Sequence, residues 1–213
     1  MSALWNLDWY AVRDSYDERE AIHKQLLDLH KQKKLGPFVD LLLGISNPSG
    51  NCSAAQHGLG PKVLFENRNA EDRLYSLCDE FLTIQNAHEV PPSIRRAGLR
   101  YFQIGVGSEA SCMINPYTCW VANVRTIWTH LVIKHADNFQ IANENLKLYR
   151  EADVSSEMAY EMWQAMHAEL GGTITRISEE GTALAKKSGV EPGKIKYLWA
   201  DAIANQLYED FCE

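Results

Sequence analysis

The chain has little of what builds a β-sheet. It contains no Asn-Gly turn and no sustained alternation of apolar with polar residues, so hairpins, sandwiches and barrels are excluded as its basis. It has no C-x-x-C pair, and its five cysteines are odd in number, which argues against a disulfide framework and against zinc-ribbon spacings. Reduced thiols in a cytoplasmic protein are the expected state. Apolar runs such as Phe38 to Ile45 are too short to span a bilayer. The opening stretch from Met1 to Trp9 lacks the basic and apolar regions of a signal peptide. Internal repeats and low-complexity tracts are absent too. So are the dinucleotide loop, the G-x-x-x-x-G-K-[ST] loop and the G-x-S-x-G elbow.

What is present reads as helix. The 213 residues are 46% apolar and 23% charged, a balance that suits one folded domain with a proper core. Ser15 to Glu18 has capping-box spacing before Ile22, Leu26 and Leu29, which predicts a helix over about 16–34 that stops at Gly36-Pro37. A short apolar helix from Phe38 to Leu43 follows. Asn69 precedes Leu74, Leu77, Cys78, Phe81 and Leu82 in helical phase. Pro91-Pro92 separates that helix from a short one over Ser93–Leu99, and Arg100–Gly107 reads as a strand or extended chain. Asn115-Pro116 opens the most apolar helix, about 117–136. Asn138 to Arg150 is helical, and Asp153 caps a helix that Gly171-Gly172 ends. Ile174, Ile177, Leu184 and Ala185 mark a helix returning antiparallel, weakened by Gly181 by about 1 kcal/mol. The last helix presents Ile195, Leu198, Trp199, Ala202, Ile203, Leu207 and Phe211 inward. The fold class expected is all-α: a single globular bundle of about seven or eight helices with one long Gly/Ser-rich loop. It forms one domain over 1–213, within which an N-terminal helical hairpin (1–44), a loop (45–61) and a main bundle (62–213) can be distinguished. The aperiodic stretch from Gly44 to Pro61 is the candidate lid. Trp5, Trp9 and Tyr10 read as an N-terminal arm docked on the bundle or on a second subunit.

Charge narrows the function. The formal net charge is −7, which disfavours long nucleic acids and anionic membranes. By segment the picture changes: Arg95, Arg96, Arg100, Arg125 and Lys134 face the single acid Glu109 between Pro91 and Ala136, a +4 window in a chain that is −11 elsewhere. Such an asymmetry marks a site for a small anion, unless the arginines pair with acids from other segments.

Within that window, Asn123, Thr126, His130 and Lys134 recur at helical spacing as a polar stripe on the apolar 117–136 helix. A polar stripe on a central helix is either hydrogen-bonded internally or lines a cavity. In a cavity, His130 is the group able to move a proton near neutral pH, while Lys134 and Arg125 neutralise charge. Arg125 lies on the opposite margin of the helix. Upstream, Gly105 and Gly107 permit a turn of exposed amides capped by Ser108, with Arg100 beside it, a cradle for phosphate or carboxylate. The expected function is binding of a small anionic or phosphorylated molecule between segment 100–108 and helix 117–136, with His130 as the acid/base candidate. The residues assign no cofactor.

Other readings stand beside it. A non-enzymatic interaction protein, a homodimer, would use the Arg-rich window in ion pairs. Glu20-x-x-His23 matches half of a di-iron helix motif, but the second copy is absent, and no metal ligand set is assigned. Cys52 with His57 is a nucleophile–base pair of the right residue types. Arg95, Arg96 and Arg100 beside Tyr101 and Phe102 are what a single-strand binder would use. Met158, Met162 and Met166 read as core filling.

Overall fold

The computed structural model describes residues 3–151 and 156–212. Among the described residues every regular element is helical, eleven α-helices with three short 3-10 turns. The helices are α1 (Trp9–Lys31), α2 (Leu35–Leu42), α3 (Cys52–Gln56), α4 (Leu59–Glu66), α5 (Ala70–Thr83), α6 (Val90–Ala97), α7 (Ile104–Ile114), α8 (Val124–Lys134), α9 (Phe139–Arg150), α10 (Glu157–Lys187) and α11 (Lys196–Phe211). None of the described helices is long and apolar enough to cross a membrane. The all-α class holds. The count exceeds seven or eight because segments that read as loops or extended chain are short helices. The expected cap at Asp153 lies outside the described residues.

The chain forms two compact units. Met1–Asp17 and Ala122–Glu213 make a terminal unit, and Glu18–Val121 makes a central unit, with α1 contributing its first turns to one and the remainder to the other.

In the central unit α7 is enclosed: all residues from Val106 to Ile114 are buried. It packs against α3, α5 and α6. Gly107 makes the α6 contact possible, since a Cβ there would lie 2.5 Å from Ile94 Cδ1. Leu74, Leu77, Cys78 and Phe81 of the α5 stripe are buried as the periodicity requires, whereas Leu82, expected on the same stripe, is 39% exposed at its edge.

Three expectations are corrected here. Helix α1 begins at Trp9, not near 16, because Asp8 Oδ1 accepts from the amides of Tyr10 (3.0 Å) and Ala11 (3.2 Å) and caps it upstream of Ser15. The segment 44–61 is not a Gly/Ser-rich loop. Asn47 caps a 3-10 turn over Pro48–Gly50 and Asn51 caps α3, each through its side-chain oxygen. Three of its glycines, Gly44, Gly50 and Gly60, serve close packing: at Gly50 a Cβ would meet the Leu41 carbonyl oxygen at 2.1 Å. Finally, Arg100–Gly107 is not a strand, since α7 starts at Ile104.

In the terminal unit α8, α10 and α11 pack on one another, with α9 against α8. Helix α10 runs 31 residues from Glu157 to Lys187, straight through Gly171-Gly172. Neither glycine takes a positive φ, so no left-handed cap forms. The apolar stripe Leu170, Ile174 and Ile177 stays in phase across them, and all three are buried. The expected antiparallel return is therefore the same helix continuing. Gly181 is a contact point, because a Cβ there would meet Ile203 Cδ1 at 2.4 Å. Of the methionines, Met166 is buried but Met158 is 80% exposed and fills no core. Trp9 sits 6.2 Å from Trp199 and Tyr16 5.8 Å from it, while the Tyr16 hydroxyl accepts from the amides of Lys194 (3.0 Å) and Ile195 (3.1 Å). The start of α1 is thus docked on its own unit. Tyr10 is 67% exposed, and the Trp5 side chain lies outside the described ones.

Candidate functional site

The helix expected over 117–136 is Val124–Lys134. It starts late because Asn123 and Thr126 form a capping box: Asn123 Oδ1 accepts from the amides of Arg125 (3.0 Å) and Thr126 (3.1 Å), and Thr126 Oγ1 accepts from the Asn123 amide at 3.0 Å. The first half of the polar stripe is therefore satisfied internally, and both residues are buried. Arg125 follows on the first turn, half-buried, its amide bonded to Asn123 and its carbonyl accepting from Thr129 Oγ1 at 3.0 Å.

The second half of the stripe faces α10. His130 Nδ1 lies 2.7 Å from Thr173 Oγ1, and His130 Nε2 lies 3.5 Å from Glu169 Oε2. Lys134 Nζ is 3.5 Å from the same carboxylate oxygen. Glu169 and Thr173 stand four residues apart on α10, so one helical turn brackets the imidazole from both sides. The His130 side chain is 11% exposed, whereas Lys134 and Glu169 are 52% and 54% exposed, so the cluster runs from a nearly buried base to a solvent-facing ion pair. Burial lowers the imidazole pKa below its ordinary value; Lys134 and His135 push the same way, and Glu169 opposes them. His130 is accordingly a neutral base at pH 7. With its proton on Nε2, directed at Glu169, Nδ1 is free to accept from the Thr173 hydroxyl.

The central unit holds a different polar centre. Arg19 Nη1 lies 3.2 Å from Glu109 Oε1, with the two side chains 2% and 1% exposed. Glu109 also accepts from the amides of Cys52 (2.8 Å) and Ser53 (3.2 Å), and Arg19 Nη1 donates to the Ser49 carbonyl at 3.2 Å. Burial alone would raise the Glu109 pKa, but Arg19 and the donors from Ser53 and Cys52 outweigh it and hold the carboxyl below its ordinary range. One turn along, His23 Nδ1 donates to the Met113 carbonyl at 2.6 Å. These groups tie the 47–56 segment and α1 to α7.

The remaining candidates fall in other settings. Gly105, Gly107 and Ser108 lie inside α7 with no positive φ, and Ser108 is fully buried with its hydroxyl 3.4 Å from the Gly105 carbonyl. The expected turn of exposed amides is thus replaced by helix, whose internal bonds use those amides. Arg100 is 74% exposed and 3.5 Å from Glu66, and Arg96 pairs with Glu80. Tyr101 is exposed while Phe102 is buried. Glu20 pairs with Lys24 at 3.0 Å, and among the described residues no group of three or more His, Cys, Asp and Glu could hold a metal ion. None of the five cysteines is in a disulfide; burial pushes Cys119 up to about 12. Glu169 and Thr173 were not legible as site residues, because the glycine pair between them reads as a helix end. No protein-family model, curated protein or solved structure matches the chain.

Proposed function

We propose that the terminal unit binds a small anionic or phosphorylated molecule beside His130, with His130 as acid/base and Lys134 as the charge partner of the ligand. The observation that carries this reading is a nearly buried imidazole whose two nitrogens are aimed at a hydroxyl and a carboxylate, next to a solvent-facing ammonium. A base kept neutral by burial is poised to take a proton at pH 7. Lys134 exchanges its pairing with Glu169 for an incoming anion, at little cost because a half-exposed ion pair is worth only about 0–1 kcal/mol. Arg125 and the Asn123–Thr126 capping box hold the start of α8. The reading draws on α8 and α10 and needs no glycine turn from 100–108.

A thermal-shift screen against inorganic phosphate, nucleotides and small carboxylates tests it. A ligand at ~10 times its Kd stabilises the native state by about 1.4 kcal/mol, a rise of roughly 3–6 °C for a chain of this size. At least one anion should produce that rise, and His130→Ala with Lys134→Ala should abolish it. No response at millimolar concentration, or a response unchanged in the double variant, overturns the reading.

The second reading is a non-enzymatic interaction protein, and one observation favours it: Arg96, Arg100 and Lys134 of the basic window each have a carboxylate partner in their own unit. It predicts no anion response, and light scattering that reports a dimer.

A further inference from the structure

The contact between α8 and α10 has a property that anion binding alone does not use. His130 Nδ1 is 2.7 Å from Thr173 Oγ1, and the far nitrogen of the same ring is 3.5 Å from Glu169 Oε2. A hydroxyl within hydrogen-bond reach of a base, itself oriented by a third group, is the arrangement that makes a weak nucleophile reactive. The His130–Glu169 separation exceeds a hydrogen bond, as such contacts do before a substrate closes the site. Thr173 is half-buried, and its contact with the imidazole is only partly enclosed. Two other threonines of these helices lack this: Thr129 and Thr175 donate to carbonyls of their own helices, at 3.0 Å to Arg125 and 2.9 Å to Gly171. Thr173 turns instead to an imidazole on another helix.

We propose that Thr173 is a nucleophile for acyl transfer, activated by His130 and Glu169, and that its substrates are activated acyl compounds, esters or thioesters, carrying an anionic group for Lys134. The inference rests on the ligand site proposed above. In the first step Thr173 Oγ1 bonds to the carbonyl carbon while its proton passes to His130 Nδ1. The tetrahedral adduct collapses, the bond to the leaving alcohol or thiol breaks, and that group departs with the proton from Nδ1. Water then attacks the acyl-threonine, loses a proton to the same nitrogen, and the carboxylic acid leaves as Thr173 regains its hydrogen. Glu169 stabilises the imidazolium formed in each half. No oxidant or metal enters the balance.

The test is a covalent one. The full chain is incubated with 4-nitrophenyl acetate, and acetylation is mapped by peptide mass spectrometry. The expected result is an acetyl group on Thr173, with a burst of nitrophenol matching the protein in amount. Thr173→Val should remove the label, Thr173→Ser should keep it, and His130→Gln should reduce it at least 100-fold with Thr173 still present. Glu169→Gln should reduce it about 10-fold or more. Thermal midpoints of the variants check that each is folded. Absence of acetyl-Thr173, or equal labelling in wild type and His130→Gln, overturns the proposal. Anion-induced stabilisation of the wild-type chain with no acetyl group on its Thr173 would remove the nucleophile and leave the binding site standing. Loss of both would remove the site itself.

Discussion

Glu109 joins a buried ion pair to the backbone of a separate segment. It is 1% exposed, pairs with Arg19, and accepts from the amides of Cys52 and Ser53. Removing one partner of a buried ion pair strands the other charge, so Glu109→Gln should lower stability by about 3–5 kcal/mol in chemical denaturation. Replacing both, Arg19→Met with Glu109→Leu, should recover part of that loss; a double variant as unstable as the sum of the single ones would contradict the pairing. The depressed carboxyl contributes stability that is present above its ordinary value of 4.5 and lost as pH falls toward its lower folded value. His130 and His23 act in a higher window. Both have pKa values lowered by burial, so the unfolded chain takes up protons first as pH drops below 6.5, and stability declines from there until the folded values are reached. A denaturation series from pH 7.5 to 4 should therefore show loss in two stages, the upper one reduced in His130→Gln. A flat profile between 6.5 and 5 would contradict both assignments.

At the scale of elements, caps and glycines decide where helices stop, and they are where reading from residues succeeds or fails. Leu74, Leu77, Cys78 and Phe81 of the α5 stripe were legible because burial follows a 3.6-residue period whatever the partner, while Leu82 shows that the period does not fix how wide the buried face is. The start of α8 was not, because Asn123 and Thr126 have the spacing of a polar stripe and of a capping box alike, and only the backbone distinguishes them. Gly171-Gly172 carries the sign of a helix end, yet α10 continues because the apolar stripe on both sides stays in phase and burial outweighs the roughly 1 kcal/mol cost of each glycine. That continuity is what sets Glu169 and Thr173 on one face. Segment 44–61 reads as a lid for a similar reason: Gly50 and Gly44 answer to packing against Leu41 and Asn51, which no local pattern reveals. Limited proteolysis checks this. The intact protein should resist cleavage within 44–61, while Glu109→Gln should open it; early cutting there in wild type would restore the lid. Asn123→Ala should cost about 1 kcal/mol through loss of the α8 cap.

Over the whole molecule, the charge of −7 is not shared. The terminal unit carries ten Lys and Arg against seventeen Asp and Glu, and the central unit eleven of each, so the acidity belongs to the terminal unit. The +4 window follows chain order and divides between units: Arg95, Arg96 and Arg100 fall in one, Arg125 and Lys134 in the other. An anion reaching Lys134 therefore enters an acidic unit, which makes recognition depend on local contacts rather than on a broad positive field. Self-repulsion within that unit predicts a higher thermal midpoint in about 0.2 M than in 0.01 M sodium chloride. A lower midpoint would mean that screened ion pairs outweigh the repulsion. The central claim, an anion site at His130, is tested most directly by NMR of the histidine rings during titration with inorganic phosphate at constant ionic strength. With phosphate bound there, the His130 ring signals should shift and saturate while the other histidines stay near their chloride-control positions, and Lys134→Ala should weaken the response. Shifts absent from His130, or equal across all histidines, would contradict it.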